Sequence, residues 1–214
     1  MQIVIALFER FTSLDAVGPY QVFNHWPGAE VIFASERSGP TRDESGSLAL
    51  HADACYADVP APDILLIPGG PGQAAHMSQA DPLQTWLKAA DQTTTWTTSV
   101  CTGALILAAA GLLEARPATT YWLAMDELAR LGAKPVQERY VFDGKYATSA
   151  GVSAGIDMAL ALVARVAGEQ TAQRIQLGIE YDPHPPFDAG SPATAPEEAV
   201  AAFRARSRFD PAAR

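Results

Sequence analysis

The chain has 214 residues, 48% of them hydrophobic and 18% charged, with a formal net charge of −9. That length suits one α/β domain with a real core, and that balance excludes a disordered chain. The acidity, with no lysine or arginine cluster to offset it, argues against a nucleic-acid partner.

Ile3 to Phe8 reads as a first strand, and no basic leader precedes it, so a cytoplasmic protein is expected. Leu14 to Asn24 suits a helix, with Leu14, Val17 and Val22 toward one side despite Gly18-Pro19. Val31 to Ala34 makes a second strand, and the polar, turn-rich stretch from Gly39 to Asp58 a hairpin excursion. Asp63-Ile64-Leu65-Leu66-Ile67 runs into Pro68-Gly69-Gly70-Pro71-Gly72, the pattern of a central parallel strand entering a tight loop. Pro82 to Ala90 suits a helix, with Asp81 as N-cap and Pro82 at its first position.

Thr94 to Val100 reads as a buried strand and Thr102 to Ala110 as a helix, with Cys101 in the sharp turn between them. Tyr121 to Leu131 has the spacing of an amphipathic helix. Tyr140 to Thr148 predicts a hairpin whose Asp143-Gly144 pair suits a type I′ turn. Ser153 to Ala167 predicts a buried helix through Ile156, Met158, Leu160, Leu162 and Val163, and Glu169 to Tyr181 another. Residues 182–196 read as a Pro-rich arm, followed by a C-terminal helix whose Arg204, Arg206, Arg208 and Arg214 form a solvated face. No apolar run reaches the length of a membrane span, so no membrane partner is expected. Strands alternating with helices predict an open, mostly parallel sheet covered on both faces, with its site beyond the strand C-termini.

Cys55 and Cys101 form neither a disulfide framework nor a metal-ligand spacing. A free cysteine is commonly a small core residue. Cys101, between strand and helix and followed by Gly103, has instead the setting of a nucleophile elbow, where the helix N-terminus favours thiolate over thiol. Three loops should converge on it: the one carrying Glu9 and Asp15, the Pro68–Gly72 loop, and the elbow itself. Gly69 and Gly70 would let backbone amides approach a substrate. Asp15 reads either as a carboxylate stabilising a helix start or, in its apolar company, as a buried acid with a raised pKa. His25, His51, His76 and His184 read as surface residues, none beside the elbow, so the chain offers Cys plus carboxyl rather than a histidine triad.

The segments LLIPGGPG, SVCTGALILAAAGLLEARPATTYW and TSAGVSAGIDMALALVARVAGEQTAQ resemble the ThiJ/PfpI superfamily, a flavodoxin-like α/β sandwich with a mostly parallel central sheet and a cysteine nucleophile elbow. The likeness covers residues 1–181, read as one catalytic domain; residues 182–214 would pack on that domain or on a partner subunit. The stretches Phe11 to Tyr20 and Ile179 to Phe187 resemble the isonitrile hydratases within that superfamily. One departure is Tyr121, where many relatives carry a histidine, in Ala118-Thr119-Thr120-Tyr121-Trp122; a tyrosine is no neutral-pH base.

The resemblance implies a hydro-lyase that turns an isonitrile and water into an N-substituted formamide through a Cys101 thioimidate. Asp15 would serve as acid and base and Thr102 would position water. The Gly70 and Thr102 amides would hold developing charge, and Gly151 and Val152 would border the pocket. Tyr20, Trp122 and Tyr181 are candidates for its apolar wall. A small-molecule substrate and a homodimer are implied, with no metal or organic cofactor. Two other readings stay open: a glyoxalase or deglycase taking 2-oxoaldehydes through a Cys101 hemithioacetal, and a cysteine-based redox or ligand sensor.

Overall fold

Segments apolar on both faces must be covered on both faces, and Ile3 to Ala6 and Ile64 to Ile67 lie fully buried in the middle of a sheet flanked by helices. The computed structural model describes residues 1–209, so Arg214 lies outside the described residues. In chain order the elements are β1 (Gln2–Ala6), α1 (Ser13–Phe23), β2 (Glu30–Ser35), β3 (Gly39–Arg42), β4 (Ala49–Ala52), β5 (Ala54–Cys55), β6 (Ile64–Ile67), α2 (Pro82–Asp91), β7 (Trp96–Val100), α3 (Gly103–Ala109), β8 (Pro117–Ala118), α4 (Met125–Arg130), β9 (Lys134–Pro135), β10 (Tyr140–Asp143), β11 (Tyr146–Ser149), α5 (Ala154–Ala167), α6 (Glu169–Gly178) and α7 (Glu197–Ala205).

The main sheet has seven strands in the order β10-β11-β7-β6-β1-β2-β5. Every neighbouring pair is parallel except β10 with β11. From β2 to β11 this is the doubly wound order of the flavodoxin-like fold, and the winding reverses between β1 and β6. Helices α1, α5 and α6 pack together, and α3 packs with α4.

Local chemistry accounts for several boundaries. The Asp81 side chain accepts from Leu83 N at 2.9 Å and Pro82 follows it, so α2 starts where its cap and fixed φ dictate. The polar excursion is a separate hairpin, β3 with β4, after which β5 joins the sheet edge beside β2. The Asp143-Gly144 turn differs from expectation. Asp143 is still paired with Tyr146, and of the two linking residues only Gly144 has positive φ (58°), the φ pattern of a type II′ turn. The stretch from Tyr121 is a single 3₁₀ turn, Trp122–Ala124, before the short α4, and its Trp122 and Leu123 line one cavity with the C-terminal segment rather than entering the core as one helix face. In α5, Met158, Leu162 and Val163 are buried, while Ile156 and Leu160 lie half-buried at its margin. Residues 182–196 carry neither helix nor strand. Among the described residues no helix is long and apolar enough to cross a membrane.

Candidate active site

Cys101 directly follows β7 with φ of 56°, a left-handed conformation that costs a residue with a Cβ roughly 1–3 kcal/mol and persists only where its surroundings over-determine it. Here they do. Cys101 N donates to Ser149 O at 3.1 Å, tying the elbow to β11, and Cys101 O accepts from the Thr120 hydroxyl at 2.7 Å. The turn sets Sγ against Gly151: a methyl group added there would lie 3.2 Å from the sulfur.

Asp15 sits in the first turn of α1 with no exposed surface. Its Oδ2 accepts from Gly69 N at 2.9 Å. The Cys101 thiol is near enough to act on the carboxyl group, yet no hydrogen bond of full geometry joins them, and Oδ1 has no partner among the described residues. Burial pushes the Asp15 pKa up to about 8, against the lowering pull of the Gly69 amide and the thiol. Burial also pushes the Cys101 thiol well up, and the neighbouring Asp15 adds to it. The thiolate expected from the helix N-terminus is therefore not the resting form: the Thr102 amide favours charge on sulfur, but loss of water outweighs it. At neutral pH the site rests as a thiol beside a carboxylic acid.

The glycine loop also differs from expectation. Gly70 N donates to Thr102 Oγ1 at 3.0 Å and Gly69 N is held by Asp15, so neither amide is free for a substrate. A methyl group at Gly69 would lie 2.5 Å from Thr102 N, and one at Gly70 would lie 2.5 Å from Arg10 O. These glycines let neighbouring backbone close in around the elbow rather than a ligand. The amides of Gly151 and Val152 have no hydrogen-bond partner among the described residues.

A cavity of about 390 Å³ opens above Cys101. Thr102, Gly70 and Val152 line it, with Thr12, Glu44, Pro71, Tyr121 and Leu123, and the C-terminal segment adds Phe203 and 206–209. The three predicted aromatic wall residues lie elsewhere. The Tyr20 ring packs on Phe33 with centroids 5.1 Å apart. Trp122 lines a separate cavity and meets Phe203 at 6.3 Å. Tyr181 lies with Arg139 and Asp157 beside α5 and α6. Glu9 belongs to a further cleft with His76 and Asp81. The Trp122 and Glu9 cavities are larger, but neither reaches the cysteine.

The arginine-bearing tail is no simple solvated face. Solvent reaches Arg208, yet its guanidinium donates to Pro71 O at 2.7 Å and to Gly70 O at 3.0 Å. Tyr121, Phe203, Arg208 and Thr120 are the contributors that sequence reasoning missed. Tyr121 alone had a signal, as the departure from the histidine of relatives. No cluster of His, Cys, Asp or Glu among the described residues suits a metal ion.

Comparison with known proteins agrees with this architecture. The chain is 41% identical over 207 residues to the isonitrile hydratase of Pseudomonas putida, covering 97% of this chain and 90% of that protein. It superposes on the crystal structure of a ThiJ/PfpI family protein from Pseudomonas syringae with a TM-score of 0.90 and 37% identity, covering 94% and 84% of the two chains. It is also 31% identical over 172 residues to the HTH-type transcriptional regulator CdhR of Pseudomonas aeruginosa, covering 78% of this chain but only 50% of the regulator. With the DJ-1/PfpI family profile matching residues 1–165, the chain belongs to the DJ-1/PfpI family.

Proposed function

We propose that the protein hydrates isonitriles to N-substituted formamides through a covalent bond to Cys101. The observation that carries this reading is a cysteine in a strained elbow beside a buried carboxyl group that keeps its proton at neutral pH, in a pocket lined by no histidine. The likeness to the Pseudomonas putida isonitrile hydratase supports it.

An isonitrile carbon accepts a proton and thereby becomes electrophilic, so it needs an acid and a nucleophile at one atom. Asp15 gives its proton to that carbon as Sγ bonds to it, and the thiol proton passes to the carboxylate. The result is a thioimidate, R–N=CH–S, with Asp15 protonated again. Asp15 then protonates the imidate nitrogen and, as carboxylate, takes a proton from the water that attacks the carbon. The tetrahedral adduct expels Sγ, its hydroxyl proton returns through Asp15 to sulfur, and R–NH–CHO leaves. Thr102 Oγ1 positions the water. The Thr102 amide, which already favours charge on sulfur, and the Gly151 and Val152 amides, without partners among the described residues, are better candidates than the occupied Gly70 amide to hold developing charge.

Loss of the isonitrile infrared stretch, followed together with formamide formation, tests the proposal. Cys101→Ser and Asp15→Asn should each lower turnover by about 100-fold or more. Asp15→Asn should still be alkylated at Cys101 by iodoacetamide, which separates lost chemistry from a lost fold. Retained turnover in Cys101→Ser defeats the covalent route. Conversion of methylglyoxal to lactate in preference to any isonitrile defeats the substrate class.

A further inference from the structure

The pocket has a charged roof that the hydration steps leave unused. Arg208 Nη1 donates to Pro71 O at 2.7 Å, and Nη2 donates to Gly70 O at 3.0 Å and Gln73 Oε1 at 3.3 Å. All three acceptors are neutral, so these bonds hold the guanidinium without cancelling its charge, and Glu44 acts on it from a distance without pairing with it. Neither Arg208 nor Arg206 joins an ion pair among the described residues. Among the described residues the acidic side chain in the pocket wall is Glu44, which accepts from the Thr12 hydroxyl at 2.7 Å. Asp15, beneath, is protonated near neutrality, and Arg10 adds positive charge from beyond the rim. Among the described residues the wall therefore sets two cations, Arg206 and Arg208, against one anion, in a chain whose net charge is −9. The same cavity is lined by Tyr121, Leu123 and Phe203, which suit a hydrocarbon skeleton.

We propose that Arg208, assisted by Arg206, is an anion-recognition point at the mouth of the Cys101 pocket, and that the substrate is an isonitrile whose organic group ends in a carboxylate. Pro71 O, Gly70 O and Gln73 Oε1 take three of the five guanidinium donors, which leaves an Nη1 donor and the Nε donor, with the full positive charge, for such a group. The isonitrile half of this statement rests on the function proposed above; the anion site does not.

Alkylation separates the two halves, because iodoacetate and iodoacetamide differ in charge and attack the same thiolate. Any change in thiol ionisation cancels in their rate ratio. Cys55, far along the chain and partly exposed, serves as the internal reference, read by peptide mass spectrometry. The iodoacetate-to-iodoacetamide ratio should be higher at Cys101 than at Cys55 by about fivefold or more. It should fall toward the Cys55 value in Arg208→Gln, be largely kept in Arg208→Lys, and decline with added salt. A Cys101 ratio equal to that of Cys55, or unmoved by Arg208→Gln, overturns the anion site.

The second arm compares kcat/KM for a neutral isonitrile and its carboxylate counterpart of equal size. The carboxylate should be preferred, and Arg208→Gln should reduce that preference by about fivefold. Equal efficiency on both overturns the proposed substrate and leaves isonitrile hydration standing. Failure of both substrates, with the iodoacetate preference intact, defeats isonitrile hydration and the proposed substrate while supporting the anion site.

Discussion

A carboxyl group with no solvent contact and a single backbone donor loses its hydration when the chain folds, and Asp15 meets that loss by keeping its proton up to about pH 8. In the unfolded chain the same group ionises near its ordinary value of 3.8. Between those values the folded state holds a proton that the unfolded state has released, so the contribution of Asp15 to stability is full below about pH 4 and is lost as pH rises toward 8. The limiting slope is about 1.4 kcal/mol per pH unit. Asp15→Asn removes this ionisation. The Tm of the variant relative to the parent should therefore rise steadily from pH 5 to pH 8 and level off above, as thermal unfolding of both proteins across that range would show. Turnover should follow the same group from the opposite side. With Asp15 as acid, kcat/KM for an isonitrile should be level below about pH 8 and fall above it.

Between β7 and α3 the elbow is a property of the whole strand–turn–helix unit rather than of the cysteine alone. Gly103 is the residue that lets α3 start so close to β6: a methyl group there would lie 2.2 Å from Ile67 O. Gly103→Ala should cost about 1–3 kcal/mol in a chemical unfolding experiment, by forcing the helix start off the strand, and should slow iodoacetamide capture of Cys101 as the turn is displaced. This unit was legible in the sequence because its signals are local: a β-branched strand, one cysteine, a glycine and an apolar helix. So was α2, whose Asp81-Pro82 start rests on two adjacent residues. What lies across space was not. Whether Tyr20 faces Phe33 or a ligand depends on how α1 sits against β2, and Tyr181 is claimed by Asp157 and Arg139 after the chain has turned twice. Gly69 and Gly70 carried a true signal of close approach, but nothing in their own stretch says that the approaching atoms belong to Thr102 and Arg10.

At the scale of the whole molecule, the reversal of winding between β1 and β6 gathers the loops after β1, β6, β7 and β11 at one edge, so Asp15, Gly69, Cys101 and Gly151 meet although 136 positions separate the first from the last. The C-terminal segment then returns over them, and among the described residues it meets the core only at its margin, through Phe209. No residue of α7 is buried, and among the described residues the segment is held by the Phe203–Trp122 contact, buried Ser207, half-buried Phe209 against the margin of the core and the Arg208 bonds to the glycine loop. A roof attached this way contributes little to the folding of what it covers. A chain ended at Pro196 should lose only the helical circular dichroism of α7 and less than about 5 °C in Tm, since the buried strands and α5 are untouched. Its Cys101, now covered by no Phe203 or 206–209 segment, should react with iodoacetamide about tenfold faster, because removing the cover opens access and eases the burial that holds the thiol protonated. An unchanged alkylation rate would mean that reagent enters past Thr12 and Glu44 instead, and that the segment shapes one wall of the pocket without controlling entry to it.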